Sequence, residues 1–289
     1  MKILYPLAKR FIAGQDVVSM LKNIVYIGET TINYVGESCN DEKTIQDNIK
    51  EYEYLIYHLR HGGPEKHYEL SVKLSQFGET PEQWKIAINR LLTAAKNTHI
   101  DIKLDMEKSS SISDTLDFVK DYKDILGIVL QANMERSYDD LNDVIGSYRP
   151  LRICKGAYKG DIAKNEDIRV AYLELVEKVF KHKFYLMHKD RQGILSLATH
   201  DEFLIKKIKE LAEEYKVKDK FIFEFLYGIR RDLLHRLRFE GYRVRTYVPY
   251  GKNWLSYVCR RLMEFKNLKF VGINVIKEYY GNLWTKSGV

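Results

Sequence analysis

The chain has 289 residues, 45% hydrophobic and 30% charged, and its 47 lysines and arginines against 40 aspartates and glutamates give a formal charge of +7. This is a globular composition that excludes a mainly disordered chain, and no 18-residue apolar run offers a membrane-spanning helix. Cys39, Cys154 and Cys259 are too few and too scattered for a disulfide framework, and the basic N-terminus lacks the apolar stretch of a signal peptide, so a cytoplasmic location is expected.

In chain order, eight short segments rich in β-branched or aromatic residues read as buried strands: 31–36, 69–74, 100–105, 127–131, 151–154, 194–199, 221–225 and 242–248. Between them, apolar residues at spacings of three and four predict helices over 44–60, 80–98, 168–182 and 202–215. Thr80 suits a helix cap and Pro81 the first helical position. Alternation of this kind implies a parallel sheet with helical crossovers, and eight units match a (β/α)8 barrel, with an open doubly wound sheet as the alternative. Neither a linker nor a repeat stands out, so residues 1–289 read as one domain.

A barrel concentrates its chemistry at the C-terminal ends of its strands. Those ends carry Gly36-Glu37, Lys73, Asp105, Gln131, Lys155-Gly156-Ala157-Tyr158, Thr199-His200-Asp201, Leu226-Tyr227-Gly228 and Tyr247, a set suited to an anionic ligand. After the last strand, Leu255, Val258, Leu262 and Phe265 share one helical face, and Tyr257, Arg260, Arg261 and Glu264 share another. Two adjacent guanidinium forks suit a carboxylate. A solvated face, with Glu264 paired to an arginine, is the plainer alternative. The +7 charge reads as a solvated lysine-rich surface, without the arginine blocks or aromatic–basic ladder of a nucleic-acid binder.

Taken together, the motifs resemble one family. YRVRTYVPYGKNWLSYVCRRLMEF resembles the last strand and final helix of the proline dehydrogenases, and LRICKGAY their Arg-x-x-Lys-Gly-Ala-Tyr strand. SVKLSQFG, IDIKLDME, GIVLQA, SLATHD and INYVGE resemble their other strand ends, in the family's order from about residue 11 to 267. The resemblance implies a distorted (β/α)8 barrel with the final helix over its mouth. It implies oxidation of L-proline to Δ1-pyrroline-5-carboxylate by hydride transfer to FAD, and electrons passed on to an acceptor, usually a membrane quinone. No Gly-x-Gly-x-x-Gly follows the early strands, consistent with a flavin held on a barrel.

The resemblance also implies roles. Arg260, Arg261 and Lys73 should bind the proline carboxylate, with Asp105 answering part of their charge as an active-site residue. Arg152 should lie near flavin N5, where a cation raises the reduction potential. Met106, Gln131, Lys155, Gly156, Ala157, Thr199 and His200 should contact FAD, and Glu264 should touch the cofactor or orient Arg260. Leu226, Tyr247 and Tyr257 should wall the pyrrolidine ring, with Tyr257 leaving little room for a hydroxyproline hydroxyl. The chain departs from the family in IFEFLYG, where an ungapped match sets Glu224 at a flavin-contacting glutamine.

His200 has no second histidine at ligand spacing, so no metal is expected. His58, His61 and His67 read as a polar connector, and Cys154 as an inert buried thiol. Residues 268–289 match no motif; Val271, Val275 and Tyr279 form an amphipathic stripe that packs on the barrel or makes a peripheral membrane contact. The length leaves no room for an aldehyde dehydrogenase module. Two other readings stand: a barrel flavoenzyme acting on another amine or a folate, and a non-enzymatic basic scaffold or nucleic-acid-binding protein.

Overall fold

The structure, a computed structural model, describes residues 9–36, 38–61, 67–122, 125–187, 194–255 and 257–258. Within them the eight expected strands are present as β1 (Thr30–Tyr34), β2 (Tyr68–Val72), β3 (Ile100–Leu104), β4 (Leu126–Gln131), β5 (Leu151–Cys154), β6 (Leu195–Ala198), β7 (Ile222–Leu226) and β8 (Val244–Tyr250). Each pairs in parallel with its sequence neighbour, and β8 closes on β1. The closed ring removes the open-sheet alternative.

The strand ends differ from the expected limits for local reasons. β2 stops at Val72 because residues Leu74–Phe77 turn into a short 3-10 helix. The Gln76 side chain holds that turn, donating to the Tyr34 carbonyl (3.0 Å) and accepting from the Tyr52 hydroxyl (2.8 Å). β8 runs two residues later than expected. Gly241, at φ +81°, and Tyr242 are used to end the preceding helix, and Val35 donates to the Tyr250 carbonyl at 2.7 Å, drawing the strand on.

Helix α1 (Val17–Ile24) precedes β1, and α2 (Glu42–Arg60), α3 (Pro81–Ala95), α4 (Ile112–Lys120), α5 (Ser137–Gly146), α6 (Asn165–Lys181), α7 (Lys183–Leu186), α8 (Glu202–Tyr215) and α9 (Arg231–Phe239) lie between the strands. α2, α3, α6 and α8 fulfil the four expected helices. Thr80 caps α3, its hydroxyl accepting from the Gln83 amide at 3.3 Å, and Pro81 is the first helical residue. Asp201 caps α8. His58 lies on α2 rather than in a connector, while His67 precedes β2 and pairs with Asp101 at 3.0 Å.

Strand alternation sorts the side chains. Ile32, Leu70, Ile102, Leu104, Ile128, Leu197 and Phe223 face outward and are buried beneath the helices. Barrel interiors are usually filled by branched aliphatic side chains. Here the inward positions carry Thr31, Glu69, Lys103, Arg152, Ser196, Glu224 and Arg245, each at most 5% exposed. Room for the Lys103 stem comes from Gly127, the register partner on β4: a Cβ there would lie 2.9 Å from Lys103 Cε.

Beyond β8, residues 254, 255, 257 and 258 are helical. Trp254, Tyr257 and Val258 are buried with Phe11, Ile12, Val35 and Ile229. Val35 and Ile229 follow β1 and β7, so the start of this segment sits at the C-terminal end of the barrel. Arg260, Arg261, Glu264 and the 268–289 tail lie outside the described residues. Among the described residues no helix is long and apolar enough to cross a membrane.

Candidate active site

The C-terminal end of the barrel opens into a cavity of about 1050 Å³. Lys73, Asp105, Met106, Gln131, Arg152, Lys155, Gly156, Ala157, Thr199, His200, Leu226, Tyr247 and Tyr257 all line it. These are all the expected site residues that fall within the described part of the chain. Gln131, Arg152, Leu226 and Tyr247 come from β4, β5, β7 and β8 themselves, and the others from the segments that follow β2, β3, β5, β6 and β8, as barrel geometry requires.

The floor is a buried ionic network centred on Arg152. Its Nε and Nη2 donate to the two Glu224 oxygens at 2.7 and 3.1 Å. Nη2 also donates to Glu69 Oε1 at 2.6 Å, and Nη1 to Asp105 Oδ1 at 2.8 Å and Ser71 Oγ at 2.9 Å. Glu69 in turn forms an ion pair with Lys103 Nζ at 2.7 Å and accepts from Arg245 Nη1 at 2.9 Å. Three carboxylates (Glu69, Asp105, Glu224) thus face three cations (Lys103, Arg152, Arg245). Each charge in this network has an opposite charge within 3 Å.

The titration behaviour follows from this packing. Burial alone would lower the Arg152 pKa, but Glu224, Glu69 and Asp105 outweigh it and hold the guanidinium charged well above its ordinary range. For Glu69, burial pushes upward, and Lys103, Arg245 and Arg152 overcome that to leave its pKa below the ordinary carboxylate value. Burial lowers the pKa of Lys103, partly offset by Glu69.

Two expectations are refined by these contacts. Asp105 was expected to answer part of the charge of the carboxylate-binding cations; its oxygens also meet Arg152, Ser71 and the Tyr247 hydroxyl, the last at 2.8 Å. Tyr247 was expected as an apolar wall. Its ring does lie under the Arg152 guanidinium at 5.1 Å, but its hydroxyl is a polar anchor. Burial and the nearby Asp105 push that phenol well above its ordinary pKa, so it stays neutral.

Along the cavity side, Gly156 has φ +126°, and a Cβ there would lie 2.1 Å from Asn133 Oδ1. Only glycine fits, because the Asn133 side chain packs directly against the backbone at this point. Gln131 braces the turn: its Oε1 accepts from the Ala157 amide and its Nε2 donates to the Glu107 carbonyl, both at 3.0 Å. Lys155 Nζ reaches Asp201 at 3.2 Å, which Arg169 also holds at 2.7 Å. The Leu226 amide donates to His200 Nε2 at 3.2 Å, which leaves Nδ1 as the protonated nitrogen of the neutral ring. The Thr199 hydroxyl accepts from the Asp201 amide at 3.1 Å.

Cys154 lines the cavity, and burial pushes its thiol up to about 12. The thiolate is therefore scarce at neutral pH, and the residue is unreactive. In native protein at pH 8, iodoacetamide should leave the Cys154 peptide unmodified, with alkylation appearing only after denaturation. Peptide mass spectrometry reads this, and rapid native labelling would show that the thiol is not buried in this way.

Several lining residues were not named from the sequence: Asn33, Asn165, Arg169, Phe203 and Arg230. Arg169 projects from the first turns of α6, and Arg230 sits at the β7–α9 junction in a left-handed conformation. Tyr158, named at the end of the Lys155-Gly156-Ala157-Tyr158 run without a role, also lines the cavity. Among the described residues no group of three histidine, cysteine or acidic side chains could hold a metal ion.

Comparison with known proteins agrees with this geometry. The profile of the family described as proline dehydrogenase matches residues 17–271. Proline dehydrogenase 1 of Bacillus subtilis subsp. natto is 32% identical over 283 residues, covering 94% of this chain and 91% of that protein. The proline dehydrogenase of Deinococcus radiodurans is 30% identical over 291 residues, covering 95% and 91%. Among solved structures, proline utilization A (PutA) from Bdellovibrio bacteriovorus, inactivated by N-propargylglycine, shares the fold with a TM-score of 0.80 at 21% identity. That match covers 93% of this chain and 34% of PutA, so the chain spans about a third of that larger protein. PutA from Corynebacterium freiburgense gives a TM-score of 0.74 at 19% identity, covering 90% and 31%. With a family match over most of its length and relatives near one-third identity, the chain belongs to the proline dehydrogenase family.

Proposed function

We propose that the chain, acting as a single barrel domain over residues 1–289, oxidises L-proline to Δ1-pyrroline-5-carboxylate with FAD bound in the barrel mouth. Proline oxidation, the first step of proline catabolism, is the reaction of its family. The observation that carries the reading is the gathering of all thirteen described candidate residues around one cavity.

The residues fit the cofactor. A cavity of about 1050 Å³ is at the upper end of small-molecule sites and far exceeds what proline alone requires. Gly156 lines the cavity, and Lys155 and Arg169, on the same wall, supply cations for a pyrophosphate. Met106, Gln131, Ala157, Thr199, His200 and Glu264 complete the proposed contacts. When bound, FAD supplies at N5 the acceptor for the hydride that leaves proline C5.

The chain's own residues bind and orient the substrate. Lys73, Arg260 and Arg261 take the carboxylate, and Leu226, Tyr247 and Tyr257 enclose the ring. Burying about three to four methylenes contributes a few kcal/mol at roughly 0.8 each. Orientation therefore depends mainly on the carboxylate contacts, and orientation is what brings C5 to the acceptor. Breaking the C5–H bond forms the C5=N bond only if the amine is neutral. Asp105 is committed to Arg152, Ser71 and Tyr247, so the ammonium proton goes to solvent. The electrons then pass to a quinone, with residues 268–289 as the segment proposed for a peripheral membrane contact.

Denaturing the purified protein should release FAD, identified by chromatography. Incubation with L-proline and a quinone analogue should yield a product trapped as the pyrroline–aminobenzaldehyde adduct. A colourless, folded protein that forms no adduct overturns the reading. A protein that retains flavin but is reduced by another amine or a folate and not by proline favours a different flavoenzyme.

A further inference from the structure

The partners of Arg152 are unequal. Glu69 divides its charge among Arg152, Lys103 and Arg245. Asp105 divides its hydrogen bonds among Arg152, Ser71 and Tyr247. Glu224 gives both oxygens to Arg152 in a two-point contact, is 2% exposed, and lines the cavity beside it. A neutral amide at this position would keep an acceptor for Arg152 Nε. What the carboxylate adds is a full negative charge, placed where little solvent screens it.

We propose that Glu224 lowers the reduction potential of the bound flavin by cancelling the charge of Arg152 at the cavity floor. The proposal rests on the flavin reading given above. Arg152 alone would stabilise negative charge gained by a group in the cavity when it accepts a hydride, that is, two electrons and a proton. The carboxylate, paired to the same guanidinium, opposes that gain. Glu224 thus acts through Arg152, as a positioning residue that sets how readily the site accepts electrons. Its inward place on β7 is fixed by the register Ala198–Glu224–Arg245, so the pair spans the barrel and does not depend on a loop.

The test is the potential of flavin-loaded Glu224→Gln, measured by equilibration with a reference dye while the flavin spectrum is followed. The ratio of reduced to oxidised flavin at a fixed ambient potential should rise at least tenfold. For a two-electron couple this is about 30 mV, at 29.6 mV per tenfold. Glu224→Asp retains the charge and should change the ratio less than twofold. An unchanged or lower potential in Glu224→Gln overturns the proposal. So does a Glu224→Gln chain that fails to fold while Glu224→Asp folds, because that assigns the carboxylate a structural role. A wild-type protein that takes up no flavin removes the underlying reading as well, an outcome distinct from a loaded variant whose potential does not move.

Discussion

Arg152→Met should lower the unfolding free energy by about 3–5 kcal/mol, the usual cost of removing one partner from a buried ion pair, and should cut kcat with proline by about 100-fold or more. The stability effect comes from what is left behind. Glu69 retains Lys103 and Arg245, but Glu224 loses the cation that both its oxygens contact, and Asp105 keeps only neutral donors among those described. In the wild type the pH dependence of the network follows Glu69. The folded pKa of Glu69 is depressed below its ordinary 4.5, so its contribution is complete above that value and is lost only as pH falls through the folded pKa. Urea unfolding of variant and wild type at several pH values measures the difference and this dependence. Equal stability of variant and wild type at pH 7 would mean that the network does not hold the barrel interior.

Lys73→Met should leave folding and flavin retention intact and lower kcat/KM for L-proline by about 10- to 100-fold, the worth of a charge-assisted hydrogen bond. Lys73 stands at the end of β2, at the start of the 3-10 turn, half-buried on the cavity wall. Because a carboxylate contact acts in both ground and transition states, the loss should appear chiefly in KM. Steady-state kinetics with L-proline reads the split. An unchanged KM would remove Lys73 from the substrate's carboxylate end.

Much of the fold was legible because parallel strands in a barrel leave short, dense apolar runs separated by helix-length gaps. The segments around Ile128 and Leu197 are of this kind. Helices α1, α4, α5 and α9 were harder to read. Each has ten residues or fewer, and α9 (RDLLHRLRF) buries only Leu233, Leu234 and Leu237 among many charges. The site was legible where motif and strand end coincide, as at Arg152 and Gly156. The ionic interior was not singled out. Glu69, Lys103 and Arg245 sit inside strands, where alternation marks them as facing one side but cannot say that this side is the barrel axis. The charged residues within YELSV, IDIKL and VRTYVPY were the available signal, since fully buried parallel strands otherwise read as continuous apolar runs.

The account stands on one physical idea, that cations around a flavin-bearing cavity seize the acid group of an imino acid and aim its C5. Anaerobic titration of the loaded wild-type protein with L-proline, and in parallel with L-prolinamide, separates that grip from mere fit of the ring. The account predicts bleaching of the flavin spectrum by L-proline at concentrations at least 100-fold below any effect of the amide. Equal bleaching by the two compounds would contradict it.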